Sequence, residues 1–521
     1  MNEKKSFKDK LDGFFEISSR GSSFKVEALA GIATFLAMAY ILTVNPNSIL
    51  FGGTSDIRWS SVFIATAIGA FIGTLLMALL AKMPFAQASG MGLNSTVGSV
   101  IGGVMGFSFS YGNAMLLVLI SGVIFLAVTF IPCGKNKETG RWISLREKIF
   151  DGIPEAVRKA ITVGIGLFIT YIGFQNSNII VSDPYVISGF VDLSNSANWA
   201  ANGPARTAMV GLFSFFIIAI LSHYKVKGAV VIGIFAGTLL SLPLGVTSFD
   251  YLSEKVPGVT WEFWTNFSNF FSMDPSKGGI FLAAFTEGFN FPEGSALTCV
   301  MLVMTFCMID MFDTMGTVVG CATNAKLIDE NGKPHNYDRI MAADSIATCA
   351  GAMMGTSTVT TFVESGAGIA AGGKTGFSSL VTSLLFLLSI FLLPLFAFIP
   401  KSAAAGALIY VGVLMMSNVK DIDFSKVKNS VPAFLTIIMM VLSYSITKGI
   451  GIGIISYVIV STIIFVVDLI KYSISKNKEN LEKPKYDVSI VAIIIFALFM
   501  VYFLAVSYTH LRAHETAANL V

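Results

Sequence analysis

Long apolar stretches separated by short polar ones recur along the whole chain. A helix needs about 20 mainly apolar residues to cross a bilayer, so this pattern predicts many membrane crossings. The first half contains seven such stretches, near 28–45, 60–81, 90–106, 114–132, 160–181, 206–222 and 228–247. The second half contains seven more, near 295–320, 340–355, 364–373, 377–399, 402–417, 431–447 and 449–470. The pattern leaves open whether a further apolar run, 488–506, is a fifteenth.

The composition agrees with a helical protein that crosses the membrane repeatedly. Of the 521 residues, 54% are hydrophobic and 13% are charged, whereas an ordinary soluble domain has about 25% charged residues. The net charge of +3 does not indicate a nucleic-acid partner, because the basic residues lie in loops. The five cysteines and four histidines show no metal-binding or paired spacing. We therefore expect no metal, no disulfide and no cofactor.

Loop charges predict the orientation of the chain. Basic residues concentrate in alternate loops, whereas the stretches 182–205 and 248–294 lean acidic. The basic segments are the N-terminal tail, 133–159, 223–227, 326–339, 420–428 and 471–485. Because basic loops favour the cytoplasmic side, we expect a cytoplasmic N-terminus in the cell membrane. Seven is an odd number of crossings, so the second half begins on the opposite side, as in an inverted-topology repeat.

The two halves share a motif at corresponding positions. Residues 89–92 read Ser-Gly-Met-Gly and residues 365–368 read Ser-Gly-Ala-Gly. Each motif follows a stretch of small, polar or β-branched residues, so we predict a short strand that leads into a half-helix. A pair of interrupted segments points to the binding site of a transporter. The alternative is that these glycines only allow close packing of helices.

The eighth apolar stretch contains two acids one helical turn apart. Asp310 and Asp313 share a helix face with Thr314 and Thr317, because residues three and four apart are neighbours. A carboxylate at membrane depth costs about 2.5–3.5 kcal/mol on insertion scales. We therefore predict that this face lines a polar cavity for a solute or a proton. The alternative is a short helix whose aspartates reach the aqueous interface near Lys326.

With these residues in view, the chain resembles the adenine/guanine/hypoxanthine permeases, the AzgA-like purine permeases of the nucleobase:cation symporters. The resemblance extends from about Phe14 to Asp468. Four motifs carry it: GIATFLAMAYILTVNP at 31–46, GMGLN at 90–94, DMFDTMGT at 310–317 and GTSTVTTFVESGAGIAAGG at 355–373. Together these motifs are far more specific than any single glycine motif.

The resemblance implies an all-α polytopic protein of the uracil-permease type, with 14 transmembrane segments in 7+7 inverted repeats. Segments 1–4 and 8–11 would form a core domain, and segments 5–7 and 12–14 a gate domain. The implied core parts are 28–132 and 295–399, and the implied gate parts are 133–247 and 400–470. The remaining divisions are an N-terminal segment (1–27), an extracytoplasmic connection (248–294), a basic loop with an extra apolar segment (471–506) and a tail (507–521). The tail resembles adapter-derived sequence, and we expect it to be non-native.

The resemblance also implies proton-coupled uptake of purine bases by alternating access. Asn94, Asp310 and Glu364 match positions that the family uses for substrate, and Asp313 matches one that is important for transport. The full set of expected substrate contacts is Asn94, Asp310, Glu364, Gly92, Ser365 and Gly366. The expected proton-coupling residues are Asp313, Asp310 and Glu364, with Asp344 as a further candidate. The expected partners are a purine base, protons and the lipid bilayer; nucleic acid is not expected, and a homodimer is the candidate assembly.

Three other functions fit parts of the pattern. A xanthine or uracil carrier has the same fold, and Ser89 and Ser95 depart from the purine-permease motif beside the predicted pocket. An anion transporter would favour positive charge, whereas this site carries three acids. A membrane-embedded aspartyl protease needs aspartates on two different helices, and Asp310 and Asp313 lie on one. We therefore predict a transporter and not an enzyme.

Overall fold

The computed structural model describes residues 6–50, 56–103, 107–135, 142–182, 188–226, 228–247, 262–328, 334–474 and 484–518. The chain divides into two compact units. The first comprises Met1–Thr129, Ile169–Pro292 and Phe306–Val413, and the second comprises Phe130–Phe168, Glu293–Thr305 and Leu414–Val521. Parts of the predicted N-terminal segment, connection, basic loop and tail lie outside the described residues, at 1–5, 248–261, 475–483 and 519–521.

Helices make up most of the described chain. The first ten are α1 (Phe7–Phe15), α2 (Phe24–Met38), α3 (Ile41–Ile49), α4 (Trp59–Leu76), α5 (Met91–Ile101), α6 (Tyr111–Phe130), α7 (Leu145–Gly152), α8 (Glu155–Asn176), α9 (Pro204–His223) and α10 (Ala229–Ser241). The next eleven are α11 (Phe263–Phe271), α12 (Ala283–Thr286), α13 (Ala296–Ala325), α14 (Tyr337–Met354), α15 (Ser365–Ala370), α16 (Gly376–Ser389), α17 (Leu393–Ala397), α18 (Lys401–Met416), α19 (Val427–Leu442), α20 (Ile446–Ile474) and α21 (Ile490–Ala518). The strands are β1 (Gln87–Ser89), β2 (Pro132–Lys135), β3 (Trp142–Ser144), β4 (Ile180–Val181), β5 (Gly189–Phe190) and β6 (Val359–Thr361).

Nine helical stretches of the described chain are long and apolar enough to cross a membrane. They are Phe24–Ile49, Trp59–Ala81, Tyr111–Phe130, Glu155–Asn176, Pro204–His223, Ala296–Ala322, Gly376–Ala397, Lys401–Asp421 and Ile446–Ile474. Shorter apolar helices occur at Ala229–Ser241, Val427–Leu442 and Ile490–Leu504. This pattern is that of a multi-pass membrane protein.

Two regions differ in detail from the sequence expectation. The first apolar segment is not one regular helix, because α2 ends at Met38 and α3 begins at Ile41, with Pro46 inside α3. The predicted basic loop at 133–159 contains the antiparallel hairpin of β2 and β3, followed by α7.

Strands β1 and β6 come from distant parts of the chain and pair antiparallel. Their register joins Gln87 to Thr361, and both strands are buried. Gly355 ends α14 with a positive φ of 89°, a conformation that costs glycine little. This turn redirects the chain from α14 towards β6.

Close packing of two helices on the strand pair depends on glycines. The side chain of Val359 lies against Gly69 and Gly73 of α4 and against Gly351 of α14. A Cβ atom added to Gly351 would lie 2.6 Å from Val359 Cγ2 and 3.0 Å from the Ser357 carbonyl oxygen. Neither neighbour is the flexible end of a long side chain, so α14 must shift to accept any larger residue.

We predict that Gly351→Ala destabilises the protein by about 1–3 kcal/mol, as is typical of overpacking. Thermal unfolding of the purified protein in detergent measures this effect. The matched control is Gly316→Ala on α13, where an added Cβ meets no heavy atom of the described chain within 4 Å. An equal melting temperature for Gly351→Ala and the parent would contradict the packing account.

Candidate functional site

Each of the two paired strands leads into a short helix, α5 or α15. The Gly90 N–H, just before α5, donates to the Thr358 carbonyl oxygen at 2.9 Å. The Phe362 N–H donates to the Ala86 carbonyl oxygen at 3.0 Å, and the Ala86 N–H donates to Ser365 Oγ at 3.0 Å. The start of each helix is therefore held against the chain that enters the opposite strand.

Glu364 lies immediately before α15 and is partly exposed. The hydroxyl of the buried residue Tyr40 donates to Glu364 Oε1 at 2.6 Å. A Cβ atom added to Gly366, in the first turn of α15, would meet no heavy atom of the described residues within 4 Å. A carboxylate can accept several hydrogen bonds. Glu364 is therefore placed to accept donors from a ligand while Tyr40 holds one of its oxygens.

Asn94 is fully buried in α5 and contacts both stretches that lead to the short helices. Its Nδ2 donates to the Ser89 carbonyl oxygen at 3.3 Å, and its Oδ1 accepts a hydrogen bond from Ser357 Oγ. Gly92 is also buried, and its carbonyl oxygen accepts from Thr96 Oγ1 at 2.9 Å. A primary amide has both N–H donors and an acceptor oxygen, so Asn94 can join the two stretches at once.

Asp310 and Asp313 of α13 have different surroundings. Asp310 is buried, and its Oδ2 accepts from Thr348 Oγ1 of α14 at 3.2 Å. Asp313 is partly exposed, and its Oδ2 lies 3.8 Å from the position of a Cβ atom added to Gly90. Asp310 therefore faces α14, whereas Asp313 faces the chain at the start of α5.

A third acid, Asp344 of α14, links the strand pair to α13. Asp344 is fully buried, and its Oδ1 accepts from Gln87 Nε2 at 3.1 Å and from Thr314 Oγ1 at 2.7 Å. Gln87 Nε2 also donates to Thr361 Oγ1 at 3.2 Å. The Thr314 and Thr360 hydroxyls are 2.6 Å apart. Because Thr314 follows Asp313 directly, this network fixes the helix turn that carries Asp313 against both strands.

A second buried network lies at the other end of the strands. Asn45 Nδ2 donates to Thr66 Oγ1 at 2.7 Å and to Thr356 Oγ1 at 2.8 Å. The Thr356 hydroxyl is 2.6 Å from Ser89 Oγ. Ser89, one of the two residues that depart from the purine-permease motif, therefore supplies a hydroxyl that joins β1 to α3 through this chain of bonds.

Sequence reasoning assigned no role to Tyr40, Gln87 or Ser357, and it considered Asp344 only as a substitute carrier of the proton. Tyr40 and Ser357 lie inside two of the quoted motifs. Asp344 gives the same signal as Asp310, an acid within an apolar stretch. The structure brings Asn94, Asp313 and Asp344 to the paired strands or their ends through the contacts described above, and Glu364 follows the end of β6 by three residues.

The fold and the site define a class of protein. A multi-pass helical protein with a polar, acid-bearing centre at two paired strands has the features of a membrane transporter. Residues 25–452 match the profile of the Permease family (Xan_ur_permease), and the chain belongs to this family. The prediction of a transporter and not an enzyme is thereby confirmed.

Named relatives and a solved structure agree with this assignment. Adenine permease AdeP of Escherichia coli (strain K12) is 34% identical over 447 residues, which cover 86% of this chain and 89% of the relative. Guanine/hypoxanthine permease PbuG of Bacillus subtilis (strain 168) is 36% identical over 451 residues, covering 85% and 92%. The transmembrane domain of a cyanobacterium bicarbonate transporter, BicA, superposes with a TM-score of 0.54 at 16% identity, covering 82% of this chain and 97% of that domain. The BicA likeness concerns the fold alone, whereas the two permeases confirm the resemblance predicted from the motifs.

Proposed function

We propose that this protein takes up purine nucleobases together with protons by alternating access. Guanine, hypoxanthine and adenine are the candidate substrates. The observation that carries the proposal is the partly exposed Glu364, which accepts a hydrogen bond from Tyr40 just before α15, in a chain more than 30% identical to named purine permeases.

The chemistry of a purine suits this site. A purine is flat and neutral, and its edges carry both N–H donors and ring-nitrogen acceptors. A carboxylate such as Glu364 accepts two N–H bonds from one edge, and the amide of Asn94 both donates and accepts. In the proposed complex Ser365, Gly366 and Gly92 let the ring approach the starts of the short helices, and Asp310 receives a further N–H. The acids disfavour an anionic solute.

Proton coupling is assigned to Asp313, together with Asp310 and Glu364. Asp313 is partly exposed and lies beside Gly90 at the start of α5. The hydroxyl of the neighbouring residue, Thr314, donates a hydrogen bond to Asp344 Oδ1 at 2.7 Å. A proton on Asp313 would thus be exchanged at a rigid position next to one of the strands. Because the acids interact, a measured titration would belong to the group and not to a single residue.

We also propose fourteen transmembrane segments in two inverted repeats. The nine long apolar stretches are accompanied by the shorter helices α10, α14 and α19 and by the two strand-to-helix segments. The antiparallel pairing of β1 with β6, which occupy corresponding positions in the two halves, supports an inverted relationship. All residues of the proposed site fall in the predicted core parts, 28–132 and 295–399.

The proposed location is the cell membrane, with the N-terminus in the cytoplasm. The alternation of basic and acid-leaning loops supports this orientation. The predicted gate parts, 133–247 and 400–470, would move against the core during transport. A homodimer stays a prediction.

Uptake of labelled bases in cells that lack their own purine carriers tests the function. We expect accumulation of guanine, hypoxanthine or adenine, with competition by unlabelled purine bases. Uptake equal to that of cells carrying an empty vector would contradict the proposal. Uptake of xanthine or uracil in place of these bases would assign the protein to the alternative nucleobase class.

We predict that Asn94→Ala and Glu364→Gln weaken purine binding while the protein still inserts into the membrane. Loss of a partner for a buried polar group costs about 1–3 kcal/mol, and more when the group is charged. Equilibrium binding to the purified variants measures the loss. Glu293→Gln, at an exposed position before α13, is the matched control. Parental affinity in both site variants would exclude this pocket.

We predict a separation of binding from coupling at the two aspartates of α13. Asp313→Asn retains the size of the side chain but removes its titratable proton, so it should bind purine yet lose accumulation driven by a pH gradient. Asp310→Asn should lose both, because Asp310 is assigned to the substrate edge. Proteoliposomes with an imposed pH gradient, compared with equilibrium binding, measure both properties. If Asp313→Asn accumulates purine like the parent, the proton is carried by another group, and Glu364 and Asp344 are the next candidates.

A further inference from the structure

Helix α2 packs closely along α15 and the loop that follows it. A Cβ atom added to Gly368 would lie 2.1 Å from Thr34 Oγ1 and 2.7 Å from the Ala30 carbonyl oxygen. A Cβ atom added to Gly373 would lie 2.9 Å from Ala30 Cβ. The absence of side chains at these glycines lets the two backbones approach, so α15 has little freedom to move sideways from α2.

The region of α2 also holds the chain at both ends of α15. Just beyond α2, Tyr40 donates to Glu364, the residue before α15. Near the start of α2, Glu27 is fully buried. Its two carboxylate oxygens accept the N–H groups of Lys374, at 3.0 Å, and Thr375, at 3.3 Å. The six-residue helix α15 is therefore bracketed by contacts that precede and follow it.

Arg20 connects this bracket to the chain that enters β1. Its Nη1 donates to the Lys82 carbonyl oxygen at 3.2 Å and to the Lys374 carbonyl oxygen at 3.1 Å. Its Nε and Nη2 donate to Glu16 Oε2 at 3.2 and 2.8 Å. A guanidinium has five N–H donors in a fixed planar arrangement, so one side chain can bridge two carbonyl groups and an acid. Arg20 thus links the approach to β1 with the exit from α15.

We propose that Arg20 and Glu27, hereafter the N-terminal latch, are positioning residues that fix α15 and thereby the carboxylate of Glu364. A helix as short as α15, with six residues, has few internal hydrogen bonds and depends on tertiary contacts for its position. The latch supplies two of these contacts at the end of α15 far from Glu364. It touches no substrate in the proposed site, and its effect on binding would be transmitted through the position of α15.

The first test is equilibrium binding of labelled guanine, hypoxanthine and adenine to the full-length purified protein, and it rests on the proposed function. We expect Arg20→Ala and Glu27→Gln each to raise the purine Kd about tenfold, because residues without ligand contact can change binding through the contacts between them and the site. Arg20→Lys should rescue only part of the loss, since an ammonium lacks the planar arrangement of donors. The matched control is Lys374→Ala, which keeps the backbone groups that the latch binds and should keep the parental Kd.

The second test is independent of any substrate. Cys321 is buried, and its Sγ lies 3.9 Å from the Val363 carbonyl oxygen, next to Glu364. Its rate of modification by N-ethylmaleimide therefore reports on the position of the chain before α15. In a background in which the other cysteines are replaced by serine, we expect several-fold faster modification in Arg20→Lys and Glu27→Gln than in Lys374→Ala. The replaced cysteines are Cys133, Cys299, Cys307 and Cys349.

The two tests separate failure of the latch from failure of the proposed function. If the parent binds no purine base, the proposed function fails, and the Cys321 rate alone decides on the latch. A lower melting temperature with a parental Cys321 rate would show that Arg20 and Glu27 only stabilise the fold, and it would overturn the proposal. If the parent binds purine and both latch variants have the same Kd as the parent, the proposal is also overturned.

Discussion

Backbone hydrogen bonds between β1 and β6 give partners to N–H and C=O groups that an apolar surrounding would leave unsatisfied. An unpaired backbone group in apolar surroundings costs several kcal/mol, so each of these buried three-residue strands depends on the other for its partners. The pairing extends by one bond at each end, through Gly90 and Phe362. Since a short helix follows each strand, the strand pair determines where both helices begin. The proposed site is built on this constraint.

The polar side chains around the strands form two groups, one fully buried and one partly exposed. Asp344 and Asn45 are fully buried and bonded to groups on several elements, so they hold the strands in register. Glu364 and Asp313 are partly exposed, and in the proposed mechanism they are the acids that meet the ligand and the proton. Buried polar groups rigidify a centre when their bonds are satisfied. This rigidity allows the two accessible acids to keep defined positions.

The sequence predicted the kind of protein, most of its apolar segments and the two matched glycine motifs. Those features depend on composition and on local spacing, which a single chain displays directly. The sequence could not predict that Gln87 and Asp344, 257 positions apart, share a hydrogen bond, because side-chain pairing across the fold leaves no local pattern. It predicted the first apolar segment, which lies within the apolar stretch Phe24–Ile49, but not the turn before Ile41 that separates α2 from α3. That turn contains Tyr40, which donates to Glu364. Hydropathy alone does not predict a turn at this position.

The location of a bound purine tests the central claim most directly. A cryo-electron microscopy structure of the purified protein with guanine, hypoxanthine or adenine bound would show which groups the ring contacts. The account predicts that the ring lies within hydrogen-bond distance of Glu364 and Asn94, beside the starts of α5 and α15. A purine bound away from both residues, with the strand pair intact, would contradict it.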